Sequence, residues 1–251
     1  MIRIEFKDPK LFATIIKNIA DFDGDVYFEV IADEELVNLY AVASAYGKPH
    51  VTITVNLSIE QFDYFESSVE TFAGGFMAKV LKEKLSGLKE YMIEIDNNNK
   101  LFRVLYDKDV VIRHEFPLMD FSKPQIPAIT PVVRVSFKTD EVLPLLEFLK
   151  KREVKYQQLN MRISDDGITF SVKVDEKPIT YRIPRGKLLS FSMMEAEVEF
   201  VMYDAYYMSY LLGKSDLSST TYLEVSDDRR RLKVYYQLPP SYAKSYFTIY
   251  Y

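Results

Sequence analysis

Cysteine and tryptophan are absent from the 251 residues, and histidine occurs only as His50 and His114. Without cysteine there are no disulfides, thiolate metal sites or cysteine nucleophiles. Two histidines 64 positions apart give no basis for a histidine metal centre, although a carboxylate-only magnesium site escapes that reasoning. With 8 glycines and 11 prolines the chain has no collagen-like or low-complexity tract. No apolar run is long enough to cross a membrane. Met1-Ile2-Arg3-Ile4-Glu5 reads as a charged, alternating strand rather than a leader, which points to the cytosol. Basic residues are not in excess: 32 Lys and Arg against 37 Asp and Glu give −5, which excludes a protein that coats nucleic acid with its whole surface. A local basic face on an acidic body is compatible with that balance. The rest is globular in character, 48% hydrophobic and 27% charged, with 19 Tyr and 17 Phe suited to β-rich packing. The length predicts one to two domains.

Alternating, β-branched stretches predict strands at 2–6, 26–31, 37–42, 50–55, 91–95, 101–105 and 110–113. A second set follows at 132–137, 157–163, 168–174, 179–183, 196–201, 222–225, 232–237 and 246–250. Turns at Asp165-Asp166-Gly167, Asn97-Asn98-Asn99 and Asp227-Asp228 join several of them as antiparallel hairpins. Four amphipathic helices interrupt the strands. The first opens at Asp8-Pro9 and buries Phe12, Ile15, Ile16 and Ile19, showing Lys10, Thr14 and Lys17 outward. The second spans about 77–86 and closes at Gly87. The third starts at Thr139 with acids first and Lys150-Lys151-Arg152 last, Pro144 arguing for a later true start. The fourth runs from Asp204 to about Leu212. Each half therefore reads as strand, helix, three strands, a further strand, helix, then three strands, an internal duplication of element order. Between the halves, residues 114–131 carry four prolines and form an extended connector. The expected division is 1–115, a connector at 116–131, and 132–251.

Catalytic chemistry has little to stand on. Asp165-Asp166 and Asp227-Asp228 are conceivable metal carboxylates, but each sits where a hairpin turn favours Asp for its own hydrogen bonds. No phosphate-cradling glycine loop, nucleophile elbow or zinc spacing occurs. His50, with no second histidine or cysteine near it, reads as a hydrogen-bonding surface residue rather than a catalyst. No catalytic residue, metal site or cofactor is expected.

Three motifs in this order resemble the PCNA-type sliding clamps of archaea and eukaryotes. Phe116-Pro117-Leu118-Met119-Asp120-Phe121, followed by Pro124-Gln125-Ile126-Pro127, is similar to that family's interdomain connector. Lys79-Val80-Leu81-Lys82 sits where the family has a lysine-bearing helix, and Leu217-Ser218-Ser219-Thr220 is similar to its turn into a following strand. The resemblance spans nearly the whole chain. It implies an α+β fold of two pseudo-repeated clamp-type domains, with antiparallel sheets outside and two helices each lining the inner face of a ring. It implies a non-enzymatic processivity factor in a homotrimer or heterotrimer encircling double-stranded DNA without sequence preference. Its partners would be DNA polymerase, clamp loader, flap nuclease and ligase, each using a short peptide motif. The setting would be the cytoplasm and nucleoid of an archaeon or the nucleus of a eukaryote. A checkpoint-type or other paralogous clamp subunit is the alternative within the same resemblance.

Carried over position by position, the resemblance assigns Lys79, Lys82, Lys10, Lys17, Lys84, Lys150 and Lys214 to the DNA side. It assigns Val42, Ser44, Val51, Pro124, Ile126, Pro127, Thr248 and Ile249 to a partner-peptide groove. Subunit contacts fall to the edge strands, at Val110, Val111, Ile112, Arg113 and His114 on one side and Ile179, Thr180, Tyr181 and Arg182 on the other. The helix segments carry a small cationic excess against an acidic remainder, the sign that sliding on phosphates requires. Ala13, Thr14, Ala20, Pro144 and Glu147 stand where typical members carry lysines, which points toward a heteromeric ring or a divergent paralogue. The chain ends in Thr248-Ile249-Tyr250-Tyr251 rather than Ala-Pro, Arg231 replaces a pocket proline, and 45–49 are extra beside the groove.

Overall fold

The computed structural model describes every residue except 23, 24, 35, 44–50, 107–111, 152, 153, 155, 156, 203 and 204. The chain divides into two compact units, Met1–Ile126 with Gln237–Phe247, and Pro127–Tyr236 with Thr248–Tyr251. The architecture is α+β, every described strand pair being antiparallel.

Unit 1 runs β1 (Ile2–Phe6), α1 (Pro9–Ala20), β2 (Asp25–Ile31), β3 (Leu36–Ala43), β4 (Val51–Leu57), a 3-10 turn (Ile59–Gln61), β5 (Phe62–Ser67), β6 (Thr71–Met77), α2 (Ala78–Leu85), β7 (Met92–Asp96), β8 (Leu101–Tyr106) and β9 (Ile112–Pro117). Its strands lie side by side in the orders β5-β1-β7-β8-β9 and β4-β3-β2-β6. Asp8 starts α1 as expected: its carboxylate accepts from the backbone N–H of Lys10 at 3.0 Å and of Leu11 at 3.1 Å, and Pro9 follows in the first turn. Phe12, Ile15, Ile16 and Ile19 are buried on the inward face.

Unit 2 runs β10 (Pro131–Lys138), a 3-10 turn (Thr139–Val142), α3 (Leu143–Leu149), β11 (Leu159–Ser164), β12 (Gly167–Val174), β13 (Lys177–Pro184), a 3-10 turn (Arg185–Lys187), β14 (Leu188–Met193), β15 (Glu197–Met202), α4 (Ala205–Leu211), β16 (Thr220–Ser226), β17 (Leu232–Gln237) and β18 (Tyr246–Tyr250). Strands β14-β10-β16-β17-β18 are neighbours in that order, as are β13-β12-β11-β15. Pro144 moves the start of α3 to Leu143, with the expected Thr139 start taken by the tighter turn. The end of α4 lies close against α3: at Gly213, φ +74°, a Cβ would fall 1.9 Å from Leu146 Cδ1.

Three strands go beyond the sequence expectation, β5, β6 and β14, so each half carries five strands between its helices rather than four. All three are edge strands with one neighbour. Strands β5 and β14 each bury only their first residue, so no buried alternation marks them; β6 carries Gly74-Gly75. The expected connector is shared between the units. Met119 donates its N–H to Gly75 O at 2.9 Å in unit 1, whereas Arg231 reaches Ala128 O at 2.6 Å in unit 2. The segment Gln237–Phe247, expected in the second domain, groups with unit 1. Gln61 donates to Pro239 O at 2.9 Å, and Ser58 and Ser245 hydroxyls meet at 3.0 Å. Among the described residues, no helix is long and apolar enough to cross a membrane.

Candidate nucleic-acid interface and partner groove

In unit 1, α1 packs on α2. Lys10, Lys17 and Lys79 are exposed, while Lys82 and Lys84 are half-buried. Lys82 Nζ sits 3.1 Å from Asp21, the cap residue ending α1, so part of its charge is already answered. In unit 2, α3 packs on α4. Lys150 is exposed just past α3, but Lys214 is 8% exposed, a correction to its expected role because little of it is left to meet a ligand. Instead, α4 shows half-buried Tyr206, Tyr207 and Tyr210, with the hydroxyls of Tyr206 and Tyr210 2.5 Å apart. Cations thus gather on one helix pair and phenols on the other, a difference that net charge does not reveal.

The predicted groove residues separate by burial. Val51 and Ile249 are fully buried and Thr248 is 6% exposed, so these three serve as sheet core or strand backbone and present no surface to a peptide. They entered the predicted set through the resemblance, which carries positions over without saying which of them reach the surface. Val42 and Ile126 are 38% and 44% exposed, and Pro124 and Pro127 are half-buried. Ser44, the extra segment 45–49 and His50 lie outside the described residues.

Within unit 1, Val42 and Pro124 line an open cavity of about 310 Å³ with Asp25, Tyr27, Tyr40, Phe121 and Ser122. Those five residues are missing from the sequence-based set. Alternation along β2 and β3 placed Tyr27 and Tyr40 on strands, but nothing in it pairs them; the register does, with their rings 5.9 Å apart. Lys123 fastens the connector over this floor. Its ammonium lies 2.8 Å from Glu29 and 4.6 Å above the Tyr40 ring. The hydrogen bond that Lys123 donates to Glu29 raises the Lys123 pKa, and burial raises that of the Tyr40 phenol.

Strands β9 and β13 stand at the ends of their strand orders. Val110 and Val111 lie outside the described residues, and Ile112 opens β9. Arg113 reaches Glu115 at 3.5 Å, and His114 faces the Tyr106 hydroxyl at 3.1 Å. On β13, Ile179 and Thr180 are exposed, the Tyr181 hydroxyl donates to Glu141 O, and Arg182 lies 3.4 Å from Asp166.

The paired aspartates occupy hairpin turns. Asp165 and Asp166 separate β11 from β12. Asp228 accepts from Ser226 Oγ and from Arg230 N–H at 2.9 Å, and these bonds hold its carboxyl below the usual range. Among the described residues no group of three His, Asp or Glu side chains converges in a way that could hold a metal ion. No protein-family model matches the chain, and no curated protein matches it.

Proposed function

We propose that this chain is a subunit of a DNA sliding clamp, a processivity factor that encircles duplex and tethers replication and repair proteins to it. The observation that carries the reading is a correspondence between the two units. Strand, helix, five strands, helix, three strands is the order in both, and β5-β1-β7-β8-β9 has its counterpart in β14-β10-β16-β17-β18. The second strand set, β4-β3-β2-β6, likewise answers to β13-β12-β11-β15. Side chains follow the same correspondence. Arg3, Glu94 and Arg103 face one another across β1, β7 and β8, and Arg134, Glu224 and Lys233 do so across β10, β16 and β17, at offsets of 131, 130 and 130 residues.

Two units of matching element order, with β9 an edge strand of one and β13 an edge strand of the other, suit head-to-tail assembly. Because β9 and β13 differ, pairing one with the other on the next subunit can close a ring and covers these two edges. A clamp must hold phosphates without reading bases, and helix lysines with Lys79 and Lys82 foremost fit that task. Clients such as polymerase, clamp loader, flap nuclease and ligase would seat an apolar and aromatic peptide on the cleft of Tyr40, Val42, Phe121 and Pro124 beneath the connector. The paucity of cations on α3 and α4 favours a heteromeric ring, in which other chains supply the missing charge.

A polymerase extension assay tests the function, using this chain alone and with any paralogous chains of its source. Longer products are expected in at least one combination, and the Lys79→Glu, Lys82→Glu double variant should shorten them at moderate salt. Absence of stimulation in every combination refutes the reading. Light scattering after size exclusion then distinguishes a ring of one chain from a mixed ring.

A further inference from the structure

The two cross-strand triads differ in their surroundings. In unit 1, Arg3 meets Glu94 at 3.0 Å and Glu66 at 3.7 Å. Arg103 meets Glu115 at 2.7 Å, Glu94 at 2.8 Å and Asp96 at 3.3 Å, and Arg113 closes the row on Glu115. Every cation there has carboxylates on hand. In unit 2, Arg134 at 3.4 Å and Lys233 at 3.1 Å share Glu224, and Ser192 stands opposite Arg134 where Glu66 stands opposite Arg3. The balance follows through each whole unit: 15 Lys and Arg against 21 Asp and Glu in unit 1, 17 against 16 in unit 2.

The adjoining rung is Ser136, Tyr222 and Tyr235. The two tyrosine rings stack 4.8 Å apart at 8°, and the Lys233 ammonium lies 4.8 Å over Tyr235. Directly paired residues share a face and neighbours along a strand alternate. Val133, Val135, Leu223, Val225 and Val234 therefore occupy the other face, where they are buried. Arg134, Tyr222, Lys233 and Tyr235 together form the outward one. Arg230, exposed in the β16–β17 turn, extends the cations past its end.

We infer that this outward face of β10, β16 and β17 binds single-stranded nucleic acid, with a base on Tyr222 and phosphates on Arg134, Lys233 and Arg230. Sheet faces that bind single strands combine aromatic rings, which accept unstacked bases, with cations spaced along a backbone. Duplex does not fit the same chemistry, because its bases are already stacked and offer no open face. The inference stands apart from the clamp reading, since it uses none of the helix lysines. A strand leaving a duplex would find here a sequence-tolerant resting place.

Fluorescence anisotropy with a labelled oligothymidylate of about eight nucleotides tests it, on the full chain. Binding should weaken with salt, with a log–log slope of roughly −2 for three phosphate contacts. Tyr222→Ala should cost about 5-fold or more, while Tyr222→Phe, which keeps the ring, should bind as the parent does. Arg134→Gln with Arg230→Gln should reduce the slope by about 1.4, and Lys79→Gln with Lys82→Gln should leave binding unchanged. The inference is overturned by no binding, by loss only in the helix-lysine variant, or by Tyr222→Ala binding as well as Tyr222→Phe. Equally tight binding of an oligoglutamate peptide also overturns it, marking a general anion surface. A failed extension assay with intact oligothymidylate binding removes the clamp reading alone.

Discussion

Gly75 is one point at which the connector touches the sheet, and replacing it with alanine separates local connector seating from core stability. Gly75 lies on the edge strand β6, where it pairs with Met119 of the connector, and the Met119 N–H donates to its carbonyl at 2.9 Å. A Cβ at this position would lie 2.2 Å from Phe121 Cδ2, 2.8 Å from Phe121 Cγ and 3.0 Å from Met119 O. Carbon atoms need about 3.5 Å, so the ring must shift by more than an ångström and the carbonyl behind it must give way. Losing the hydrogen bond costs about 1 kcal/mol and the overpacking about 1–3 kcal/mol. The connector can relieve the strain by lifting off locally, so this cost should be felt at residues 118–121 rather than in global unfolding. Taking 2 kcal/mol as a central value, the Met119 amide should exchange with solvent about 30-fold faster, while amides of β1 keep their protection. Gly74→Ala is the control, because its Cβ would meet Phe72, Leu118 and Phe28 at 3.3–3.4 Å, tight but tolerable by small adjustments. Unchanged Met119 exchange in Gly75→Ala, or equal acceleration in Gly74→Ala, refutes this account of how the connector is held.

Glu94, 7% exposed, receives Arg103 at 2.8 Å and Arg3 at 3.0 Å. Burial raises its pKa, but the hydrogen bonds from Arg103 and Arg3 outweigh burial and hold the carboxyl below the usual glutamate range. The folded state therefore binds that proton more weakly than the unfolded chain does. Its contribution to stability is present above the ordinary glutamate pKa and is lost as pH falls through the lowered folded value. Glu94→Gln should cost about 2 kcal/mol in urea melts at pH 7 and much less at pH 3, and equal losses at both would be the disproof. Tyr236 is fully buried and its hydroxyl donates to Leu211 O at 2.8 Å, at the end of α4. Burial raises its pKa, keeping the phenol a donor throughout the accessible pH range. Tyr236→Phe should cost about 1 kcal/mol by thermal denaturation, and an unaltered melt would show the bond to be dispensable. Beside the cleft, Ile126 is exposed on the connector although it does not line the cavity; Ile126→Ala should weaken binding of a client peptide, and titration calorimetry showing unchanged affinity would confine the site to the cavity residues.

Local chemistry carried much of this protein into its sequence. Asp8-Pro9 specifies where α1 begins because a carboxylate and a proline satisfy that end without help from any distant residue. Strands such as β1, β8 and β12 are legible because each buries one face, which forces a period of two. Strands β5, β6 and β14 were not legible: β5 and β14 each bury only their first residue, and β6 carries Gly74-Gly75, so no period of two marks them. On the helices the buried face was legible, as Phe12, Ile15, Ile16 and Ile19 show, but exposure of single strand residues was not. Val42, Val51 and Ile249 look alike in sequence, yet two are core and one is exposed, and Lys214 is covered although it lies in a polar stretch.

What the sequence by itself determined is therefore the set of elements whose signals are local: capped helices, tight hairpins, alternating strands and a proline-bearing connector. Tertiary structure alone decided which distant residues meet. The pairing of β1 with β7 and of β10 with β16 set Arg3 against Glu94 and Arg134 against Glu224, and register brought Tyr27 to Tyr40 and Tyr222 to Tyr235. Pairing between distant strands depends on the summed burial of whole faces, and no single residue carries that sum. The cleft and the tyrosine-bearing face therefore became visible only once the strands were aligned.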